Sequence, residues 1–228
     1  MLPELHWTIG RCHLVVSLYA VAIAAGVGAG LAVAVWRSRA REAMLVVAPL
    51  AVLAGVVAAE AWHRACHGSP GLSSMGGIAG GLVAIALASR ALGSPVLETL
   101  DALAPGALLG FAIGRVGCFL ASCCHGRATA LPWGVVFPVL GPPARHPAQL
   151  YEAVADLCVA WWCCRPRGPA GHAAGRGMIG YGAVRVLLEA VRDPGAIDVV
   201  VPHGPSLAQW SALVLVAAGL RLASRATP

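Results

Sequence analysis

Between Leu14 and Trp36 the sequence carries no Asp, Glu, Lys or Arg. A run of that length matches the roughly 20 residues a helix needs to cross a hydrocarbon core of about 30 Å. The run has company: apolar stretches recur at Met44–Trp62, Met75–Leu92, Leu103–Cys124, Ala148–Cys164, Met178–Val191 and Leu207–Ala223. Charged residues make up 11% of the chain, against roughly 25% in soluble domains. The pattern predicts an all-α integral membrane protein of about seven transmembrane helices, forming a single polytopic domain over residues 1–228. The first run is long enough to span and no clear A-x-A site closes it, so no separate signal peptide is expected.

All 16 basic residues are arginines, and the formal net charge is +6. They are scattered among apolar spans and form no basic patch, which argues against a nucleic-acid partner. Short loops rich in Arg mark the cytoplasmic side. Arg37, Arg39 and Arg41 follow the first span, Arg165, Arg167 and Arg176 follow the fifth, and Arg221 and Arg225 end the chain. With seven spans these fall on one side, which places the N-terminus outside and the C-terminus in the cytoplasm. Seven of the eight histidines (His6, His13, His63, His67, His125, His146 and His203) then face outward, and His172 faces the cytoplasm.

Arg115 lies in the middle of the fourth span. A charge at that depth costs about 2.5–3.5 kcal/mol on insertion scales. Phe111, Ala112, Cys118 and Phe119 occupy the positions three and four residues away, so its counter-charge must come from another helix or from an anionic ligand. Arg185, in the sixth span, has Tyr181 four residues before it and Glu189 four residues after it. An ion pair along its own helix and a ligand-binding role are both open for it. Two arginines in a water-poor site suit a phosphate, because the guanidinium fork binds phosphate oxygens in pairs and keeps its charge when desolvated. In a membrane the obvious phosphate is a phospholipid head group. The outward segment from Arg145 to Glu152 leads into the fifth span. There His146 is a candidate proton acceptor, and Glu152 and Asp156, one turn apart, can face the arginines. A solvated helix start with Pro147 in its first turn is the alternative for this segment.

Eight cysteines are many for this length. Cys118, Cys123, Cys124 and His125 cluster near the outer end of the fourth span, and Cys66 lies between His63 and His67. A disulfide, a metal site, a catalytic thiol and inert packing all remain open, although the spacing matches no strong zinc signature. Cys163 and Cys164, at the cytoplasmic edge, suit inert thiols or reversible acylation. Glycines at 106, 110 and 114 in the fourth span, and at 76 and 80 in the third, predict close helix approach. No two-fold internal repeat supports a transporter.

Gly114-Arg115-Val116-Gly117-Cys118-Phe119 resembles the G-R-x-G-N-F signature of bacterial prolipoprotein diacylglyceryl transferases. Gly126-Arg127, Pro132-Trp133-Gly134-Val135-Val136-Phe137-Pro138 and the run from Arg145 to Glu152 also fit. So do Asp101, Pro105, Gly180-Tyr181-Gly182-Ala183-Val184-Arg185, Glu189, Arg192-Asp193-Pro194, Ser206 and Gln209-Trp210. The resemblance implies seven transmembrane helices and a multi-pass place in the bacterial cytoplasmic (inner) membrane. It implies transfer of the diacylglyceryl group of phosphatidylglycerol to a cysteine thiol of a lipoprotein precursor, with glycerol phosphate released and no metal or cofactor. Phosphatidylglycerol, the precursor peptide and membrane lipids are the partners expected. Taken with the residues' own chemistry, it points to Arg115, Arg185 and His146 as catalytic, and to Arg115, Arg127, Tyr181 and Glu152 as lipid-binding. Four positions depart from the pattern: Met75 stands for a histidine, Cys118 for an asparagine, Cys123 for a glutamate and Val15 for a tyrosine. These departures leave a second possibility, a divergent non-catalytic or redox- or metal-linked paralogue on the same fold.

Overall fold

A computed structural model of the chain describes residues 4–9, 12–68, 71–165, 168–192 and 206–224. Arg167, Asp193, Pro194, His203 and Arg225, named above, lie outside the described residues. The elements in order are β1 (Glu4–Ile9), β2 (Cys12–Ser17), α1 (Leu18–Arg37), α2 (Arg41–His67), α3 (Ser74–Ala91), α4 (Val96–Leu120), α5 (Ala148–Cys164), α6 (His172–Leu188) and α7 (Leu207–Ser224). Among the described residues, five helices, α1, α2, α3, α4 and α7, are long and apolar enough to cross a membrane. Helices α5 and α6 have 17 residues each.

The seven helices fit the all-α expectation, with a two-stranded hairpin ahead of α1, and the first span starts at Leu18 rather than Leu14. Strands β1 and β2 pair antiparallel, with Leu5 opposite Val16 and Trp7 opposite Leu14. Glu-Leu-His-Trp-Thr-Ile in β1 alternates polar and apolar residues, which is the strand period. Leu14-Val15-Val16 is an apolar stretch, β-branched at Val15 and Val16, that runs straight into the helical one, so periodicity does not separate the two.

The fourth span shifts toward the N-terminus. Helix α4 starts at Val96, after Pro95, and ends at Leu120. Cys123 and Cys124 therefore leave the helix, in a turn where Ser122 and Cys124 adopt φ of 56° and 58°. The sixth span also starts earlier, at His172 rather than Met178. Asp101 of α4 explains this, because its carboxylate accepts from the N–H groups of Gly171 and Ala174, each at 2.8 Å. A carboxylate on the free N–H groups of a first turn stabilises it. A capping box opens α7: Ser206 N donates to Gln209 Oε1 at 3.0 Å and Gln209 N to Ser206 Oγ at 3.1 Å.

Helix α1 packs on α4, α2 on α3, α4 on α5, α5 on α6 and α6 on α7. The expected glycine stripes sit at these contacts. A Cβ added at Gly30 of α1 would lie 2.7 Å from the Gly106 carbonyl oxygen, and one at Gly26 would lie 2.7 Å from that of Gly110. A Cβ at Gly76 of α3 would lie 2.8 Å from the Ala58 carbonyl of α2. The two backbones touch at each place, a geometry that membrane helices use in the absence of a hydrophobic driving force between them. The outer faces carry Leu45, Leu53, Val57 and Val214 exposed, with Trp36 and Leu187 each 73% exposed, while Gln149, Glu152, Asp156 and Arg185 are buried. Apolar outside and polar inside is the pattern of a protein solvated by lipid, and this is a membrane protein.

Candidate active site

Three charges from three helices, two buried and one largely buried, meet in the bundle. Arg115 of α4 places Nη2 2.9 Å from Glu152 Oε1 on α5, and Arg185 of α6 places Nη1 3.6 Å from Glu152 Oε2. The Arg115 side chain is 17% exposed, and the other two are 4% exposed. Local sequence makes this approach possible. Gly180 of α6 faces Val159 of α5, and Gly182 faces the Ala212 carbonyl of α7, where an added Cβ would lie 2.8 Å away. Arg185 thus sits on a helix that its glycines let settle between two neighbours.

Desolvating two guanidinium groups against one carboxylate leaves the balance incomplete. Breaking such an arrangement by removing one partner costs about 3–5 kcal/mol, because a buried charge is left uncompensated. Arg185 Nε and Nη1 are buried without a hydrogen bond, although a guanidinium is built to donate several. Asp156, one turn beyond Glu152, is fully buried, and neither of its carboxylate oxygens has a hydrogen-bond partner. It lies within electrostatic reach of Glu152, Arg115 and Arg185. With two guanidinium groups on one paired carboxylate and spare donors on Arg185, the site can take an anion with several oxygens.

Tyr181, one turn before Arg185, is 4% exposed, and its ring stands 5.6 Å from that of Phe111. Arg115, Glu152, Arg185 and Tyr181 are therefore brought together. The along-helix partner considered for Arg185 is replaced: Arg185 turns to Glu152 on the neighbouring helix, and Glu189 Oε2 is buried without a hydrogen bond.

His146 and Arg127 lie in the segment 121–147 that closes this end of the bundle, and each engages other groups. His146 Nδ1 is 3.3 Å from the Tyr151 hydroxyl, which accepts from Trp133 Nε1 at 2.8 Å. The backbone of His146 is held on both sides, by Gly126 N to its carbonyl at 2.9 Å and by its own N–H to Arg127 O at 3.0 Å. Arg127 is exposed, and its Nε donates to the Arg192 carbonyl at 2.8 Å, tying this segment to the end of α6. Gln149 Nε2 donates to the Cys123 carbonyl and fastens the turn after α4 to the start of α5.

Met75 packs against the core cluster that contains Leu108, Val159 and Tyr181, as an apolar residue should. Cys118, Cys123 and Cys124 gather instead, with their Sγ atoms all within 4.8 Å of one another. They are the residues in this part of the molecule that could hold a metal ion. Asp156 was expected to face the arginines beside Glu152, whereas buried Gln149 stands outside the expected set. Gln149, Glu152 and Asp156 repeat at three- and four-residue steps along an otherwise apolar helix, a polar stripe that marks an inward face.

The family model described as prolipoprotein diacylglyceryl transferase matches residues 7–224 of this chain. Three similar proteins carry the name phosphatidylglycerol–prolipoprotein diacylglyceryl transferase. The one from Idiomarina loihiensis is 35% identical over 161 residues, which is 68% of this chain and 60% of that protein. The one from Methylobacillus flagellatus is 36% identical over 156 residues, covering 67% and 60%. The one from Cupriavidus necator is 37% identical over 157 residues, covering 67% and 58%. The chain spans about 60% of the length of the curated relatives it matches.

Proposed function

The chain belongs to the prolipoprotein diacylglyceryl transferase family, and from that premise we propose that it moves the diacylglyceryl group of phosphatidylglycerol onto a cysteine thiol of a lipoprotein precursor. One observation carries this reading: two arginines from different helices, Arg185 buried and Arg115 largely so, converge on Glu152, and Arg185 keeps Nε and Nη1 free of hydrogen bonds. A phosphate diester offers the oxygens those groups lack.

In the proposed reaction, Arg115 and Arg185 hold the lipid phosphate and Glu152 keeps the two guanidinium groups in register. Tyr181 packs beside them, and Arg127 borders the site from the loop. The acceptor thiol loses its proton to His146, since the thiolate is the nucleophile. The sulfur then bonds to the glyceryl carbon, the bond from that carbon to the phosphate oxygen breaks, and glycerol phosphate leaves. Charge that grows on the leaving phosphate meets the two arginines, which is where preorganised electrostatics contributes most.

The same proposal sets seven spans in a bacterial cytoplasmic membrane, with the N-terminus outside and the C-terminus in the cytoplasm. Arg37, Arg39, Arg165 and Arg176 line one cleft at a single end of the bundle. That end has the arginine excess of a cytoplasmic face. His146, Cys123 and Arg127 belong to the segment that closes the other end, where a secreted precursor arrives.

The test is reconstitution of the full chain with phosphatidylglycerol and a peptide bearing the acceptor cysteine, read by mass spectrometry. The expected product is the thioether-linked diacylglyceryl peptide, and Arg115→Ala is expected to abolish it. Folded protein that yields no adduct overturns the assignment, and full activity in Arg115→Ala overturns the role given to that arginine.

A further inference from the structure

Past the end of α4 the chain turns back through Ser122 and Cys124, both in the left-handed region at φ 56° and 58°. This turn carries Cys123 and Cys124 over Cys118, which stays on the helix one turn after Arg115. Cys123 Sγ lies 3.6 Å from the Cys118 carbonyl, and Gln149 holds the Cys123 carbonyl from α5. The turn is therefore pinned to two helices. All three Sγ atoms fall within 4.8 Å of one another.

A zinc ion binds thiolate sulfur at about 2.3 Å, so three sulfurs around one tetrahedral ion stand about 3.8 Å apart. The observed group closes to that spacing with shifts of about 1 Å, within the reach of side-chain torsions. Cys118 is buried, Cys123 half-buried and Cys124 exposed. One ligand is thus anchored in the protein and another lies on an entry path. Three thiolates around a divalent ion carry one net negative charge, and the fixed charge of Arg115 acts on both Cys118 and Cys124.

We propose that Cys118, Cys123 and Cys124 form a binding site for a thiophilic d10 cation, with zinc as its natural class of occupant. Thiolate ligands select such ions over calcium, magnesium or manganese. Binding forms three metal–sulfur bonds and releases three thiol protons to solvent. Three protein ligands leave the fourth position to water or to an arriving thiol.

The test uses the full chain purified in detergent, loaded with zinc and desalted. Metal content is measured by mass spectrometry and the ligand shell by X-ray absorption at the zinc edge. The expected result is one zinc per chain, with three sulfur neighbours at about 2.3 Å. The paired change Cys123→Ser and Cys124→Ser is expected to weaken uptake at least tenfold, while Cys163→Ser, buried in a separate core cluster, keeps it. A shell with one sulfur or none overturns the site. Unchanged uptake in the paired variant overturns it too, as does a disulfide among the three mapped in non-reduced protein. The absorption measurement on the unaltered chain stands even where a variant fails to fold. Metal uptake is read without lipid or peptide, so its outcome is independent of the transferase assay.

Discussion

Arg115 and Glu152 pair across the α4–α5 contact, Nη2 to Oε1 at 2.9 Å, and the other oxygen of the same carboxylate reaches Arg185 at 3.6 Å. One carboxylate thus pairs with two cations that the bilayer would otherwise expel, and offsets half of their charge. Glu152→Gln keeps the shape and removes the charge. It is expected to cost about 3–5 kcal/mol of stability, the penalty for stranding buried charge. Thermal unfolding in detergent measures this. Adding phosphatidylglycerol is expected to raise the midpoint of Glu152→Gln more than that of the unaltered chain, because the lipid phosphate takes over the missing charge.

Arg185→Lys separates charge from geometry. Lysine keeps the positive charge but offers a point donor where arginine offers a planar fork. A site that needs paired contacts to phosphate oxygens is expected to lose roughly 10²-fold in initial rate, the scale of one lost oxyanion donor. Initial rates on phosphatidylglycerol and acceptor peptide check this. A rate within twofold of the unaltered enzyme shows that the fork of Arg185 is not used.

The helices and the charged centre were legible in the sequence for different reasons. Apolar runs give the helices directly, and α5 begins and ends where its run does, at Ala148 and Cys164. Arg115 was visible because nothing on its own helix could pair with it. Glu152 was legible only as one candidate partner beside Asp156, since it lies on another helix and only the fold sets that distance. Helix α6 was shortened in the sequence because His172–Gly177 is polar and glycine-rich, and the carboxylate that caps it belongs to Asp101, 70 residues before Gly171. The N-terminal hairpin was hidden because Leu14-Val15-Val16 extends the apolar run of α1 without a break. The cysteine cluster was visible in the sequence, but the turn after Leu120 that folds it together was not, because its positive-φ residues Ser122 and Cys124 are neither glycine nor asparagine.

His146 and Tyr151 share a hydrogen bond at 3.3 Å, and Trp133 fixes the same hydroxyl at 2.8 Å. If His146 takes the acceptor proton, His146→Gln removes the base and is expected to lower kcat by roughly 10²-fold or more, the usual share of a general base. Tyr151→Phe removes only a group that orients the ring, so a loss below about tenfold is expected. Steady-state rates with varied acceptor peptide separate the two. Equal losses in both variants place the hydroxyl, rather than the imidazole, at the centre of the effect.

Gly30 and Gly28 offer a matched test of the α1–α4 contact. A Cβ at Gly30 meets the Gly106 carbonyl oxygen at 2.7 Å, whereas a Cβ at Gly28 meets nothing within 4 Å. Both residues sit inside α1 with the same helical backbone, so the intrinsic gain from replacing glycine by alanine, about 1 kcal/mol, is common to them. Gly30→Ala must push the two helices apart against a backbone oxygen that cannot rotate away, and overpacking of this kind costs about 1–3 kcal/mol. Gly28→Ala is therefore expected to leave the thermal midpoint unchanged or slightly raised. Gly30→Ala is expected to lower it, and to lower activity with it, because α4 carries Arg115 about two and a half turns beyond Gly106. Unfolding curves of both variants in one detergent decide the matter. Equal midpoints show that the α1–α4 spacing is soft enough to absorb a methyl group.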